Sequence, residues 1–166
     1  MIQLRPASFS DLELLQQWDE APHVIAAKGT GDWGWQTELH RQPDWREQLI
    51  AEVEGIPIGF LQIIDPAREE EHYWGECPDN LRAIDIWIGE EAYIGRGFGK
   101  KMMELALERC FADERVNAVL IDPMASNTRA QRFYEKLGFH LVEYRCFTRV
   151  ECAVYRLERN VWVNRS

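Results

Sequence analysis

Glycine recurs at every second position in Ile94-Gly95-Arg96-Gly97-Phe98-Gly99-Lys100, directly before a stretch with helical periodicity. Glycine reaches backbone conformations closed to other residues, so this spacing allows a sharp entry into a helix and leaves main-chain N–H groups bare at its start. Bare amides at the positive end of a helix bind phosphate. A short glycine motif is weak on its own, and two better-known loops must be set aside. The dinucleotide-binding fingerprint needs its third glycine one residue later and belongs in a chain's first βαβ unit. The P-loop needs glycine where Ile94 stands and Ser or Thr where Lys101 stands. Taken alone, the remaining loop could be a plain strand-to-helix turn. A second motif, one helix and one strand further on, gives it weight: Asn127-x-x-Ala130-x-x-Phe133-Tyr134-x-x-x-Gly138-Phe139.

Composition narrows the class of protein. At 166 residues, 46% hydrophobic and 28% charged, the chain suits one domain, residues 1–166, with a sizeable core. No apolar run approaches the roughly 20 residues of a membrane span. The start, Met1-Ile2-Gln3-Leu4-Arg5-Pro6, lacks the order of a signal peptide, so a cytoplasmic location without a membrane partner is expected. Cys77, Cys110, Cys146 and Cys152 show no C-x-x-C spacing and read as reduced thiols. His23, His40, His72 and His140 are scattered, and no metal site is expected. With 28 acidic against 19 basic residues the net charge is -9, which disfavours nucleic acid and suits a cationic small molecule. A monomer or homodimer is expected.

Periodicity predicts a strand over Ile2–Arg5, then a helix opened by the capping box Ser10-x-x-Glu13 and running to about Trp18. Residues 20–43, with Gly29, Gly31, Gly34, Trp33 and Trp35, read as an ordered loop with one helical turn. Gln48–Val53 and Pro57–Ile64 read as a hairpin turning at Glu54-Gly55-Ile56, and Asp65–Asn80 as an acidic loop. In Leu81–Gly89 the isoleucines at 84, 86 and 88 alternate with Asp85 and Trp87, giving one apolar face and one that pairs an acid with an indole. A helix is predicted over Gly97–Phe111, with Phe98, Met102, Leu105 and Ala106 inward. Val116–Ile121 reads as a strand buried on both faces. Ala130, Phe133, Tyr134 and Leu137 form the inner stripe of the next helix, stopped at Gly138, and Phe139–Tyr144 and Ala153–Leu157 read as the last strands. These elements predict a mixed sheet whose central parallel pair is Ile84–Ile88 with Val116–Ile121.

The two motifs resemble the acetyl-coenzyme A site of the GNAT acetyltransferases, and the likeness extends from Ile2 to the end of the chain. It implies the α/β (α+β) GNAT fold: a mixed, mostly antiparallel central sheet with a splayed parallel strand pair and flanking helices. It also implies acetyl-CoA as co-substrate, with the pantetheine arm between the splayed strands beside Trp87 and Ile88. The diphosphate is then expected on the amides of Gly95, Arg96, Gly97, Phe98 and Gly99, assisted by the Arg96 or Lys100 side chain. Asn127 matches the asparagine that holds the cofactor arm, with Ala130 one turn on, although helix capping is an equally simple role for an asparagine. Tyr134 matches the family's general acid, since a phenol with pKa about 10 is protonated at neutral pH and can donate to a departing thiolate. Family members usually carry Arg or Gln at the position of Ile94, so a side-chain contact is not expected there.

Within that family the resemblance is to aminoglycoside 6'-N-acetyltransferases. It rests on Glu54-Gly55-Ile56-Pro57-Ile58-Gly59-Phe60, Ile84-Asp85 with Ile88-Gly89, Asp122-Pro123 with Ser126-Asn127-x-Arg129-Ala130, and Tyr134-Glu135-Lys136-x-Gly138-Phe139. The match is dense from Ala83 to Phe139 and sparse before Val53. It implies that Asp85 and Asp122 bind ammonium groups and that one of them takes a proton from the attacking amine, directly or through water. For Asp122 a turn-forming Asp-Pro, and for Asp85 an exposed strand acid, are the alternatives. Trp33 and Trp87 suit the walls of a sugar site, and Glu76 adds charge to it, although core packing is the usual role of a tryptophan. Acyltransferases for hydroxylysine, polyamines or protein amines carry similar cofactor motifs, and a carboxylate-bearing acceptor would need Arg82, Arg129 or Arg145 nearby. A non-catalytic acetyl-CoA sensor would have no use for Tyr134 and Asp85 together.

Overall fold

The computed structural model describes residues 1–165. Its strands are β1 (Ile2–Pro6), β2 (Arg46–Val53), β3 (Ile56–Ile64), β4 (Leu81–Ile88), β5 (Ala118–Ile121), β6 (His140–Phe147) and β7 (Val150–Glu158). Its helices are α1 (Leu12–Asp19), α2 (Pro22–Lys28), α3 (Trp35–Glu38), α4 (Phe98–Ala112), α5 (Thr128–Lys136) and α6 (Arg159–Val163). The strands form one mixed sheet in the order β1-β2-β3-β4-β5-β7-β6, with β4 and β5 parallel and β1–β2, β5–β7 and β6–β7 antiparallel. This is the expected GNAT arrangement, with one correction to the parallel pair. The β4–β5 ladder joins Leu81, Arg82 and Ala83 to Ala118, Val119 and Leu120, and β4 then runs on to Ile88. The paired half of β4 is therefore the one before Ile84, not Ile84–Ile88.

The predicted β2–β3 hairpin turns on Glu54 (φ 52°) and Gly55 (φ 81°), two left-handed residues, as a two-residue hairpin loop requires. The predicted capping box falls elsewhere. Ser8 caps a short 3-10 turn, Phe9–Asp11, and donates its N–H to the Asp11 carboxylate at 2.9 Å. Arg5 binds the same carboxylate at 2.8 Å, so an ion pair on the buried Asp11 selects Ser8/Asp11 over Ser10/Glu13. Residues 20–43 hold more helix than expected. Pro22 starts α2 after an extended Ala21, Val24 is buried beneath it, and Gly34, left-handed at φ 63°, opens α3.

The chain falls into two compact units, the first comprising Met1–Ile63 and Asp85–Ala106 and the second Ile64–Ile84 and Leu107 onward. In the first, Ala7, Leu15, Trp18, Val24, Trp35, Leu39, Ile50, Phe60 and Trp87 form one apolar cluster. Gly59 permits the close approach of its neighbours, because a Cβ there would lie 2.6 Å from the Trp87 carbonyl oxygen and 2.9 Å from Met102 Cε. In the second unit every residue of β5 is buried, as its apolar composition predicts. Arg159 donates to the carbonyls of Phe111, Asp113 and Val116, where helix α4 has no further N–H groups to offer. The β6–β7 hairpin is longer than expected, reaching Phe147 and Val150 around Thr148 (φ 45°) and Arg149 (φ 70°). Among the described residues no helix is long and apolar enough to cross a membrane.

Candidate active site

Alternation along β4 sets the first unit's chemistry, because a two-residue period sends Asp85 and Trp87 to one face and the isoleucines to the other. Asp85, partly buried, accepts a hydrogen bond from Gln62 Nε2 at 3.1 Å, and Gln62 Oε1 in turn accepts from Gln48 Nε2 at 3.0 Å. Burial pushes the Asp85 carboxyl up to about 6, against the Gln62 amide, which pulls it the other way. Trp87 is only 4% exposed and packs on Phe60 at 4.7 Å, and its indole N–H is buried without a hydrogen-bond partner among the described residues. Trp33 is half-buried, set edge-on to Trp87 at 5.1 Å and stacked on Trp35 at 5.5 Å. Lys28 Nζ lies 5.5 Å from the Trp87 ring centre and pairs with Asp19 at 3.1 Å. Asp85 thus shares a strand face with an aromatic cluster in which Trp33 is the most accessible ring.

On the opposite face Ile88 points toward α4, its Cδ1 lying 3.7 Å from where a Cβ on Gly99 would be. After a 3-10 turn at Glu91–Tyr93, Gly95 (φ 75°) and Gly97 (φ 84°) are both left-handed, and a Cβ on either would meet nothing within 4 Å. These two glycines are needed for conformation, not for space. They lead into the 15-residue α4, whose first turn holds no acidic residue. Arg96 folds back over Tyr93 at 5.0 Å and Phe98 at 5.4 Å, while Lys100 is exposed on the first turn. A diphosphate could be held at such a helix start, where Arg96 and Lys100 supply cations and the first turn of α4 carries no carboxylate.

In the second unit Asn127 caps α5, its Oδ1 accepting from the Ala130 N–H at 3.1 Å. The helix ends in a Schellman motif, with Phe139 N–H donating to Tyr134 O at 3.1 Å, Gly138 N–H to Glu135 O at 3.1 Å, and Gly138 at φ 105°. That closure fixes the backbone of Tyr134, whose ring is 7% exposed between Phe133 and Phe139. Asp122 follows β5, and its Oδ2 accepts from the Tyr73 hydroxyl at 2.6 Å. Tyr73 stacks on Phe147 at 4.5 Å, and its N–H donates to buried Glu69 at 2.8 Å. Glu76, on the same loop, is exposed with no hydrogen bond or ion pair among the described residues.

Three polar residues at these places were not anticipated. Gln62, buried in the otherwise apolar β3, could have been noticed as a polar side chain in a run of Ile, Phe and Leu. Gln48 lies on a mixed strand and Tyr73 in a loop without periodicity, so neither carried a signal. Among the described residues no group of three or more His, Cys, Asp or Glu side chains is arranged to hold a metal ion.

Comparison with known proteins gives the family. The family model described as Acetyltransferase (GNAT) domain matches residues 8–146. An aminoglycoside N(6')-acetyltransferase type 1 of Klebsiella pneumoniae is 30% identical over 152 residues, spanning 83% of this chain and 73% of the relative. The lysine N-acyltransferase MbtK of Mycobacterium tuberculosis is 28% identical over 169 residues, spanning 93% and 76%. The crystal structure of aminoglycoside acetyltransferase AAC(6')-Ib with coenzyme A and kanamycin superposes over 100% of both chains, with a TM-score of 0.86 at 26% identity. A family match over most of the chain, a relative 30% identical across most of both chains and the shared fold lead to one assignment: the chain belongs to the GNAT acetyltransferase family and is an acetyl-CoA-dependent N-acetyltransferase.

Proposed function

We propose that the acceptor is a small polycation and that the amine acetylated is the 6'-amine of an aminoglycoside. The observation that carries this reading is Asp85, a partly buried carboxylate whose pKa of about 6 suits it both to attract an ammonium group and to take its proton near neutral pH. Asp122 holds a second ammonium group, sharing it with the Tyr73 hydroxyl. Trp33 supplies an apolar wall, Trp87 supports that wall from beneath, and Glu76 adds negative charge from the loop.

Asp85 takes a proton from the ammonium group, the neutral amine attacks the thioester carbonyl carbon, and the C–S bond breaks as the Tyr134 phenol gives its proton to the departing thiolate; the second proton shed by the nitrogen as the amide forms restores the phenol. The amides of Gly95–Gly99, with Lys100 and Arg96 close by, hold the diphosphate. Ile88 and Asn127, with Ala130 on the same helix, line the pantetheine arm. Asn127 caps α5 through its side-chain oxygen, which leaves its amide N–H groups for a ligand.

A lysine-type acceptor is the second reading, favoured by the match to MbtK. It would need a cation for the acceptor's carboxylate. Arg82 is engaged by Asp65 at 3.4 Å and Asp113 at 3.7 Å, Arg145 lies over Phe147, and Arg129 is exposed on the first turn of α5; the polycation reading is preferred on the carboxylate of Asp85. The reaction is placed in the cytoplasm, where acetyl-CoA is made, and resistance to kanamycin is its cellular consequence. A thiol-release assay with kanamycin, spermidine, N6-hydroxylysine and an N-terminal peptide tests the choice. Turnover is expected with kanamycin, and none with kanamycin beside turnover of another amine refutes the aminoglycoside reading.

A further inference from the structure

The link between β4 and the glycine turn is gripped on two sides. From β3, the Ile58 carbonyl accepts from both Gly89 N–H at 2.8 Å and Glu90 N–H at 3.1 Å. From α1, Trp18 lies so close to Gly89 that a Cβ there would meet indole carbons at 2.0 to 2.5 Å, and its Nε1–H donates to Glu90 Oε1 at 2.9 Å. From α2, His23 Nε2–H donates to the Gly89 carbonyl at 2.9 Å, while its Nδ1 lies 3.8 Å from Glu91. Trp18 is 2% exposed and Val24, beside His23, is fully buried, so both grips are rooted in the aromatic core.

The turn holds itself through few contacts of its own: Arg96 donates to the Ala92 carbonyl at 3.3 Å and lies over Tyr93 and Phe98, and a Cβ on either left-handed glycine would meet nothing within 4 Å. Its placement against the rest of the first unit is therefore set at its ends. Downstream it is the body of α4. Upstream it is Gly89–Glu91, because only the short 3-10 turn Glu91–Tyr93 and Ile94 separate that segment from Gly95.

We propose that Trp18 and His23 are positioning residues for acetyl-CoA, which set the entry of the diphosphate-holding turn by fixing Gly89 and Glu90. The inference rests on the assignment of that turn to the diphosphate made above. It assigns a cofactor-side effect to residues of the N-terminal helices, which contribute no side chain to the turn. The Glu90 charge gives a control: removing a negative charge near a diphosphate favours binding, so weaker binding in Glu90→Ala must come from the lost hydrogen bond.

The test is calorimetric titration of coenzyme A into wild type, Glu90→Ala, Glu90→Gln, Trp18→Phe and the double variant Trp18→Phe/Glu90→Ala, with melting temperatures recorded. Glu90→Ala and Trp18→Phe are each expected to weaken coenzyme A by about 3- to 10-fold. Glu90→Gln, which still accepts from Trp18, should stay within about twofold, and the double variant should be no worse than the poorer single one. An unchanged Kd in Glu90→Ala, equal weakening in Glu90→Gln, or fully additive losses would overturn the inference. A wild type that does not bind coenzyme A would overturn the diphosphate assignment itself, a separate and recognisable result.

Discussion

Replacing Asp85 by Asn should make the protein more stable and nearly inactive. The native carboxyl titrates at about 6 against an ordinary 3.8, so between those values the folded state holds a proton that the unfolded chain releases. Stability therefore falls as pH rises through that window and levels off above it. Two units of displacement correspond to about 3 kcal/mol at neutral pH, an upper figure for a group that solvent partly reaches. The amide of Asn carries no charge, and its oxygen can still accept from Gln62. The variant should gain up to about 3 kcal/mol in urea denaturation at pH 7, with the gain vanishing toward pH 4, where wild-type Asp85 is also neutral. Its kcat/KM should drop by about 10²-fold or more, and that of wild type should decline as pH falls through about 6. An Asn variant less stable at pH 7, or with the same gain at pH 4, would refute the argument that this acid is held ionised against its surroundings.

Tyr134→Phe should lower turnover by about 10²-fold or more while leaving the calorimetric Kd for coenzyme A near normal, and an unchanged rate would remove the phenol from proton transfer. Asp122→Asn should raise KM for kanamycin with little change in KM for acetyl-CoA, as steady-state kinetics would record. Gly97→Val forces a β-branched residue to φ 84°, costing about 1–3 kcal/mol of backbone strain, and should weaken coenzyme A binding in calorimetry without any steric clash at the site.

The conformation of the glycine turn was legible because left-handed backbone is written in the positions of Gly95 and Gly97. The helix that Asn127 caps and on which Tyr134 is buried was legible through the spacing of its motif. The environment of Asp85 was not, since the Gln48–Gln62–Asp85 chain crosses three strands and no local pattern reports which side chains meet across a sheet. The grips of Trp18 and His23 on Gly89 and Glu90 escaped for the same reason, spanning 72 and 66 residues. Helix α2 went unseen because it is seven residues long and its stability comes from burying Val24, not from propensity. The parallel pairing of β4 with β5 was legible, but the paired stretch of β4 was not, since it depends on where two strands diverge and not on what either contains.

The tip of the last hairpin has a practical consequence. Thr148 and Arg149 are exposed and both left-handed, the first a β-branched residue ill suited to that conformation. The seven cross-strand pairs from His140↔Arg156 to Phe147↔Val150 hold the hairpin together behind that tip. An exposed tip backed by so long a ladder tolerates insertion, which makes residues 148 and 149 the natural place to graft a reporter peptide or to reopen the chain with new termini.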